Sequence, residues 1–402
     1  MELFSTLPDT AGKAAVVERS HLLTECEWMP IRDIPTFKSG ERTVLPAGKI
    51  VRGVPYSSTE ISDKFITENI SFETFLTMIA NPDGLIYTRD YGGGYDGKIW
   101  TYCGIVCNGL CRFAYDIDRR VNTKRWLEIP GMCLVAKHGE YTAKDIKLCD
   151  TLYAFGEGRN HVALITDILR DEDGMIRFIE VSEAIRTQCA RRRFTPDEYF
   201  EKYKLFHLTR YDFVDSVPAP DPEWRRILFE SDIGKIPPRI ALDLGNKSNY
   251  RATDDVTISV FTEGEDTVTL RRDGKVIEQA LTDGYTKIVR KLPRGYYTAT
   301  LESDGTVLEF CITDPKSEYT VDGETITVRY DKCDEGELLY MDFRETKHTK
   351  AISSGLAKVI EVTESEKKEG CITRSVPKDA YSYKLYFKNK YGVWTHPMII
   401  FR

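Results

Sequence analysis

The chain has 402 residues, of which 41% are hydrophobic and 30% are charged, and its formal net charge is −7. This length exceeds what one compact core usually organises, so two or three domains are expected. The negative charge argues against a protein that coats nucleic acid or an anionic membrane, because either partner needs a basic surface.

The N-terminal segment 1–20 does not combine a basic start with an apolar run, so it is not predicted to be a signal peptide. No stretch reaches the roughly 18 apolar residues that a transmembrane helix needs, so no membrane span is expected. The sequence as it stands therefore indicates a cytoplasmic protein. Export by another route, or processing of a longer chain, would place it outside the cell or in the cell wall.

The ten cysteines are irregularly spaced, with seven before residue 216 and three after it. Neither group could pair all of its thiols internally. This distribution favours a reducing compartment with mostly buried, inert thiols over a disulfide framework.

Three helices are predicted in the first half of the chain. The first covers Ala11–Leu23, and the second covers Ser71–Ala80 with Ser71 as its N-cap. The third follows Thr195, which can cap a helix whose first position is Pro196.

Two strands, HVALITD (161–167) and MIRFIEV (175–181), are joined through the polar turn DEDG. Together with the helices they predict a mixed helix and antiparallel-sheet domain, of the α+β class. The arginines at 191–193 are interpreted as a solvated basic face, with contact to an anionic ligand as the less favoured alternative.

The clearest linker is SVPAPDP (216–222), because its three prolines block helix and interrupt strand pairing. We predict a first domain over 1–215, and a linker with the first strand of the next domain over 216–250. Two β-sandwiches are predicted to follow, over 224–314 and 315–402.

Short alternating strands closed by tight turns support the two sandwiches. VTISVF (256–261) and TVTLRR (267–272) alternate apolar and polar residues, and Asp273-Gly274 is typical of a two-residue hairpin turn. Strand spacing of this kind predicts all-β sandwiches of immunoglobulin-like type. They could bind a surface, a glycan or a partner protein.

The segment WTYCGIVCNGLCRFAYDI (100–117) carries the best candidate nucleophile. Helix-forming sequence starts at about Cys107, where the helix dipole and free backbone N–H groups would stabilise a thiolate. The same N–H groups could donate to an oxyanion, and Asn108-Gly109 would leave the approach uncrowded for substrate.

A thiol nucleophile needs a nearby base held in one orientation. His161 follows a Gly-containing turn at the mouth of a strand. One strand later, Glu180 and Ser182 share a face, since strand side chains alternate. Glu180 is the candidate to hydrogen-bond the far nitrogen of the imidazole, with Ser182 in reserve.

These segments resemble the NlpC-type cysteine peptidases. CNGLCRFAY (107–115) is similar to their Cys-Ser-Gly-Leu/Phe-Val helix start. IKLCDTLYAFGEGRNHVALITDI (146–168) is similar to their Leu-Lys-Pro-Gly-Asp stretch, short strand and His-Val-Gly-Ile. GKIVRGVPYSS (48–58) resembles the Gly-x-Pro-Tyr element that precedes the nucleophile. The three elements occur in the family order.

The resemblance implies an α+β papain-like fold for residues 1–215 and thiol hydrolysis of amide bonds, usually in peptidoglycan stem peptides, without a cofactor or metal. It implies Cys107 as nucleophile, His161 as base and Glu180 as orienting group. Substrate is expected to contact Tyr56, Tyr102, Asn108 and Ser182.

Two of the chain's departures from the family concern the substrate. Val106 stands where Asp usually precedes the cysteine, so a different substrate specificity is expected. An inserted loop over 57–100 includes the Gly- and Tyr-rich stretch 87–100, which could form a lid or a subsite wall.

Three alternatives stay open. Cys103 is a rival nucleophile in a similar setting. An amidase, a transglutaminase-like transferase or an acyltransferase could use the same catalytic residues on another substrate. A catalytically inactive binding protein, with the sandwiches engaging a glycan or a protein surface, belongs to a different functional class.

Overall fold

Segments from both halves of the chain are described in the computed structural model. The described residues are 2–38, 41–57, 71–88, 103–117, 121, 123–156, 159–185, 187–312, 317–330, 337–344, 358–359, 363–375, 382–388 and 398–401.

The helices are short apart from the first one. They are α1 (Ala11–Glu25), α2 (Phe72–Ile79), α3 (Leu85–Thr88), α4 (Cys107–Ala114), α5 (Pro196–Lys202), α6 (Pro222–Arg225) and α7 (Glu364–Glu369), with 3-10 turns at Thr123–Glu128 and Val214–Ser216 and a π turn at Arg226–Glu230.

Strands are spread over the whole described chain. They are β1 (Phe4–Ser5), β2 (Glu27–Trp28), β3 (Ile34–Lys38), β4 (Glu41–Leu45), β5 (Val51–Arg52), β6 (Met132–Ala136), β7 (Thr151–Gly156), β8 (Arg159–Arg170), β9 (Ile176–Ile185), β10 (Gln188–Phe194), β11 (His207–Tyr211), β12 (Ile240–Leu242), β13 (Ser248–Tyr250), β14 (Val256–Phe261), β15 (Asp266–Arg272), β16 (Lys275–Thr282), β17 (Tyr285–Arg290), β18 (Gly295–Leu301), β19 (Val307–Ile312), β20 (Ser317–Asp322), β21 (Thr325–Tyr330), β22 (Glu337–Arg344), β23 (Lys358–Val359), β24 (Cys371–Ser375), β25 (Ser382–Lys388) and β26 (Met398–Phe401).

The predicted fold class, an α+β papain-like domain followed by two immunoglobulin-like sandwiches, was wrong. The structure is mostly β, with 41% strand against 22% helix, and its strands form several separate sheets. The prediction failed in the first half because it counted helices and overlooked strands. For example, the arginine-rich segment QCARRRF forms β10, where pairing with β9 outweighs weak local strand propensity.

The largest sheet lies in the first half and carries the residues of the candidate site. Its order is β10-β9-β8-β7-β11-β6, with β1 beside β8, and neighbouring strands run antiparallel. Val162 and Leu164 belong to a core shared with α1 and α4, whereas Ala163 and Ile165 belong to a second core with Tyr199 of α5. Both sheet faces are therefore covered, which explains the unbroken apolar run at residues 162–165 of β8.

The predicted helices are confirmed, together with their caps. Ser71 accepts a hydrogen bond from the backbone N–H of Thr74 at the start of α2. Thr195 and Glu198 form a reciprocal capping box at the start of α5.

The arginines at 191–193, interpreted from the sequence as a solvated basic face, are partly exposed, and each of them pairs with a carboxylate. Arg191 contacts Glu25 and Glu180, and Arg193 contacts Glu180. Arg192 contacts Glu183. The pairing follows from the register, since β10 lies beside β9, which supplies both buried acids.

After residue 240 two sheets enclose a common core. One has the order β12-β14-β17 and the other β13-β19-β18-β15-β16. Val256 and Ile258 from the first sheet join Leu270 and Phe310 from the second in one apolar cluster. The predicted turn at Asp273-Gly274 is confirmed between β15 and β16, with both residues at positive φ as a primed hairpin turn requires.

The described part of the inserted loop, residues 71–88, packs against the strands that follow residue 240. Thr74 Oγ1 donates to the carbonyl of Asn246 at 2.6 Å, and Leu85 N donates to the carbonyl of Asp243 at 2.8 Å. Gly245 approaches α2 so closely that a Cβ there would lie 2.1 Å from the carbonyl oxygen of Thr74. These described residues act as a brace. Of the stretch 87–100, for which a lid or a subsite wall is predicted, only residues 87 and 88 are described.

Asp83 is the polar centre of this brace. Its Oδ2 accepts hydrogen bonds from Ser259 Oγ at 2.8 Å and from the Tyr285 hydroxyl, and Lys287 Nζ lies 3.2 Å from Oδ1. Burial raises the pKa of Asp83, but the hydrogen bonds from Tyr285, Ser259 and Lys287 outweigh it and hold the pKa below its ordinary value.

Among the described residues, no helix combines the length and the apolar character that crossing a bilayer requires. The described cysteines are all free, and Cys133 is the exposed one.

We predict that Asp83→Asn lowers the free energy of unfolding at neutral pH by about 1–3 kcal/mol, since three donors lose a charged acceptor. Because the pKa of Asp83 is lowered in the folded state, this contribution is present above the pKa of the unfolded chain and is lost as pH falls through the folded-state pKa. Denaturant unfolding at several pH values measures it. Glu172→Gln, in an exposed turn, is the control, and equal stability of the two variants would contradict the role of Asp83.

Candidate active site

Cys107 is the first residue of α4, and backbone pairing on its N-terminal side sets its position. Ile105 N donates to the carbonyl of Pro55 at 2.9 Å, and Ile105 forms a parallel bridge with Tyr56. Gly104 permits this approach, because a Cβ there would lie 2.4 Å from the carbonyl oxygen of Pro55. The Pro-Tyr element and the cysteine are thereby held side by side.

The N-terminus of α4 has no side-chain cap. Val106 occupies the N-cap position and offers no hydrogen-bond acceptor to the first turn. Backbone N–H groups of Val162 and Asn108 donate hydrogen bonds to the Cys107 sulfur and lower its pKa. The positive end of the helix therefore favours the thiolate.

His161 lies near the start of β8 and interacts with Cys107 on one side and Glu183 on the other. Its Nε2 is 2.7 Å from Oε2 of Glu183, and the thiol of Cys107 is its other hydrogen-bonding neighbour. Because Nε2 is committed to the carboxylate, Nδ1 is the nitrogen left for the thiol. The three side chains form a Cys–His–Glu arrangement.

The predicted orienting residue, Glu180, was wrong, because Glu183 occupies that position. Leu164 pairs with Ser182, so these two side chains share one face of the sheet and His161 shares the other face with Glu183. Glu180 is buried on the Ser182 side, where its oxygens contact Thr166 and Arg193.

Glu183 is almost fully buried and is held by three partners. Tyr203 donates its hydroxyl to Oε1 at 2.9 Å, and Arg192 Nη2 donates to the same oxygen. Burial raises the pKa of Glu183, but hydrogen bonding and Coulombic attraction to His161, with Arg192 and Tyr203, outweigh it and lower the pKa to about 2. The carboxylate is therefore ionised throughout the neutral range.

The pKa values of the thiol and the imidazole move in opposite directions. Burial raises the pKa of Cys107, but hydrogen bonding and Coulombic attraction to His161 outweigh it and lower the pKa. Burial lowers the pKa of His161, but hydrogen bonds to Cys107 and Glu183 raise it to about 10. Both shifts favour a thiolate beside an imidazolium over two neutral groups.

A cavity of about 350 Å³ adjoins this arrangement. His161 and Glu183 form part of its wall, together with Arg192, Lys202 and Tyr203. Cys107 itself is only 5% exposed, so the imidazole is the group that connects the thiol to the cavity.

The residues predicted to contact substrate have different outcomes. Tyr56 lines the cavity, where burial and the nearby Cys107 raise the pKa of its hydroxyl. The predicted substrate contact of Asn108 was wrong. Its side-chain nitrogen donates to the carbonyl of Val121, and the residue is not among the described residues of the cavity wall. The predicted substrate contact of Ser182 was also wrong, because the residue is fully buried and its Oγ lies 3.2 Å from Thr166 Oγ1. Tyr102 lies outside the described residues.

The rival nucleophile Cys103 lies four residues before Cys107 in the chain and is fully buried. Sequence reasoning missed Lys202 and Tyr203, and it noted Arg192 only as part of a basic face. The register of β9 against β8 would have indicated Glu183, and the pairing of β10 with β9 would have indicated Arg192. Lys202 and Tyr203 reach the site only because α5 packs against the sheet, which the sequence does not show.

No protein-family model and no curated protein matches the chain. Among solved structures, native alpha-2-macroglobulin from Escherichia coli, spanning domains NIE-MG1, covers 41% of this chain and 96% of its own at 8% identity and a TM-score of 0.17. The fibronectin(III)-like modules of Clostridium thermocellum CbhA cover 40% and 90% at 13% identity and a TM-score of 0.17. The FN1-FN3 domains of chicken CNTN1 cover 63% and 88% at 11% identity and a TM-score of 0.18. Structural similarity this low does not indicate a function for this chain.

We predict that Glu183→Gln lowers the pKa of His161, because the imidazolium loses its buried anionic partner. In an NMR titration of the His161 imidazole, the midpoint, expected near pH 10 in the wild type, moves to lower pH.

Glu180→Gln is the matched control, since Glu180 lies on the same strand and is buried, but pairs with Arg191 and Arg193. A His161 midpoint that moves equally in both variants, or in neither, would contradict the assignment of Glu183.

Proposed function

We propose that this chain is a thiol hydrolase that cleaves amide bonds, with Cys107 as nucleophile, His161 as general acid and base, and Glu183 as the group that orients the imidazole. The single observation that carries the proposal is the arrangement of His161 between a thiol of lowered pKa and a buried carboxylate at 2.7 Å. Activated cysteine nucleophiles require this combination of base and orienting group.

The reaction would begin with attack of the Cys107 thiolate on the carbonyl carbon of the amide. A carbon–sulfur bond forms as the carbonyl π electrons move to oxygen, giving a tetrahedral oxyanion. Backbone N–H groups at the start of α4, which has no side-chain cap, would donate hydrogen bonds to this charge.

Collapse of the intermediate would break the carbon–nitrogen bond. The imidazolium of His161 donates its proton to the departing amine, which leaves a thioester on Cys107 and a neutral imidazole. The imidazole then takes a proton from water as the water attacks the thioester, releasing a carboxylic acid and restoring the thiolate–imidazolium pair.

Glu183 would hold the ring in one orientation throughout this cycle. Its hydrogen bond to Nε2 directs Nδ1 to the sulfur, and its charge stabilises the imidazolium. Tyr203 and Arg192 fix the carboxylate in turn, so the geometry does not depend on solvent.

The first proposed substrate is a peptidoglycan stem peptide, from the resemblance of 48–58, 107–115 and 146–168 to NlpC-type peptidases. Val106 occupies the position where that family usually has Asp, so a related amide substrate is included in the proposal. Transfer of the acyl group to an amine would use the same thioester and differs only in the attacking nucleophile.

We predict that Cys107→Ala abolishes cleavage of purified peptidoglycan peptides, with a loss on the order of a thousandfold or more, because no thioester can form. Mass spectrometry of the products distinguishes hydrolysis, which yields a free carboxylate, from transfer to an added amine.

Cys103→Ala is the matched control and is expected to retain activity, since that thiol is fully buried. Identical products from the wild type and Cys107→Ala would remove the wall-hydrolase form of the proposal.

We also predict that iodoacetamide labels Cys107 faster than Cys133 at neutral pH, although Cys107 is buried and Cys133 is exposed. Hydrogen bonding to Asp212 raises the pKa of the Cys133 thiol, whereas His161 favours the thiolate of Cys107. Peptide mapping after short exposure measures both rates. Faster labelling of Cys133 would show that Cys107 is not activated.

A further inference from the structure

In the described part of the chain, β16 lies at the end of its five-stranded sheet. We propose that this edge is a dimer interface, at which β16 pairs antiparallel with β16 of a second copy of this chain and Gln279 lies at the two-fold axis. The proposal does not depend on the hydrolase, because all of its residues lie in the two sheets that follow residue 240.

The other edges of these two sheets are covered. The residues of β12 and β13, at the opposite edges, are buried throughout. On β17, at the remaining edge, the side chains of Tyr285 and Lys287 contact Asp83 of the brace. Among the described strands of these sheets, β16 is therefore the one whose edge is left for another chain.

Alternate residues of β16 present an exposed row to solvent. Ile277 is 47% exposed and Leu281 is 83% exposed. Lys275, Gln279 and Asp283, which extend the same alternation, are exposed as well. Monomeric proteins usually protect such an edge with charges, prolines or a covering segment, because exposed apolar strands pair with other chains. Here the centre of the row is apolar and its two ends carry opposite charges.

This row is complementary to itself. A two-fold axis normal to the sheet at Gln279 pairs each residue with the one equally far along the strand on the other side. Ile277 then lies opposite Leu281 of the second copy, and Lys275 lies opposite Asp283, each pair occurring twice. Apolar pairs and pairs of opposite charge stabilise antiparallel strands. A shift of the axis by one residue would place Lys275 opposite Leu281, or Ile277 opposite Asp283.

The inner side of the strand is compatible with the same register. Glu278 would lie opposite Ala280 of the second copy, and its charge is already compensated by Arg290 of β17, whose Nε donates to Oε2 at 2.9 Å. Pairing closes after two copies, because each copy has then used its β16 edge and the opposite edges are buried.

Sedimentation equilibrium of the full chain between about 1 and 100 µM tests the interface, and wild type is expected to show a monomer–dimer equilibrium. Leu281→Asp, which places a charge opposite Ile277, is expected to raise the dissociation constant roughly tenfold or more. Val307→Asp is the matched control, since Val307 is also 47% exposed but lies on β19, inside the sheet. A wild type that stays monomeric, or a dimer that Leu281→Asp leaves unchanged, overturns the proposal.

Charge reversals test the register. Lys275→Glu and Asp283→Lys each place like charges opposite one another, so each variant alone is expected to dimerise roughly three- to tenfold more weakly. Mixed in equal amounts, the two variants are expected to associate with wild-type affinity, because every opposed pair then combines an acid with a lysine.

Lys144→Glu is the control for net charge, because Lys144 is exposed in a turn of the first half and undergoes the same charge change. Circular dichroism checks that each variant is folded. A mixture that does not recover the wild-type affinity, or an equal weakening by Lys144→Glu, overturns the pairing about Gln279.

Discussion

The burial of one carboxylate constrains most of the candidate site. Glu183 lies inside a sheet whose two faces are covered, where an uncompensated charge would be strongly destabilising. Its compensation requires an imidazole, a guanidinium and a phenol hydroxyl at the same time. These three contacts fix the positions of β8, β10 and Tyr203, which follows α5, relative to β9.

The same compensation connects stability with reactivity. The pKa of His161 is raised because Cys107 and Glu183 lie on either side of it, and the pKa of Cys107 is lowered because His161 and the backbone N–H groups of Val162 and Asn108 favour the thiolate. Each shift depends on the others, so the state of the thiol is a property of the whole buried group. Arg192 and Tyr203 contribute to it although neither contacts the sulfur in the proposed mechanism.

Local signals were sufficient to predict the starts of the helices and the two residues at the centre of the site. Ser71, Thr195 and the helix-forming run at Cys107 act through neighbours a few residues away, and the structure has helices at each of them. His161 was predicted from its place before an apolar strand. These features depend on short-range chemistry that a sequence displays directly.

The wrong predictions concern features that depend on pairing between distant segments of the chain. Glu180 and Glu183 differ by three residues on one strand, and only the register against β8 decides which of them faces His161. The strand formed by QCARRRF is defined by its partner β9 and by the acids that its arginines meet. Sheet content was therefore underestimated, and the fold class was wrong as a result.

The brace formed by residues 71–88 bears on how such a chain could be rearranged during evolution. Phe72 and Phe113 contact Trp224 with ring centres 5.8 and 5.3 Å apart, and Asp83 reaches Ser259 and Tyr285. A segment inserted in one half thus supplies part of the packing of the other. Exchange of the β-rich half for an unrelated module would leave aromatic and carboxylate groups exposed, so the two halves are expected to have been inherited together.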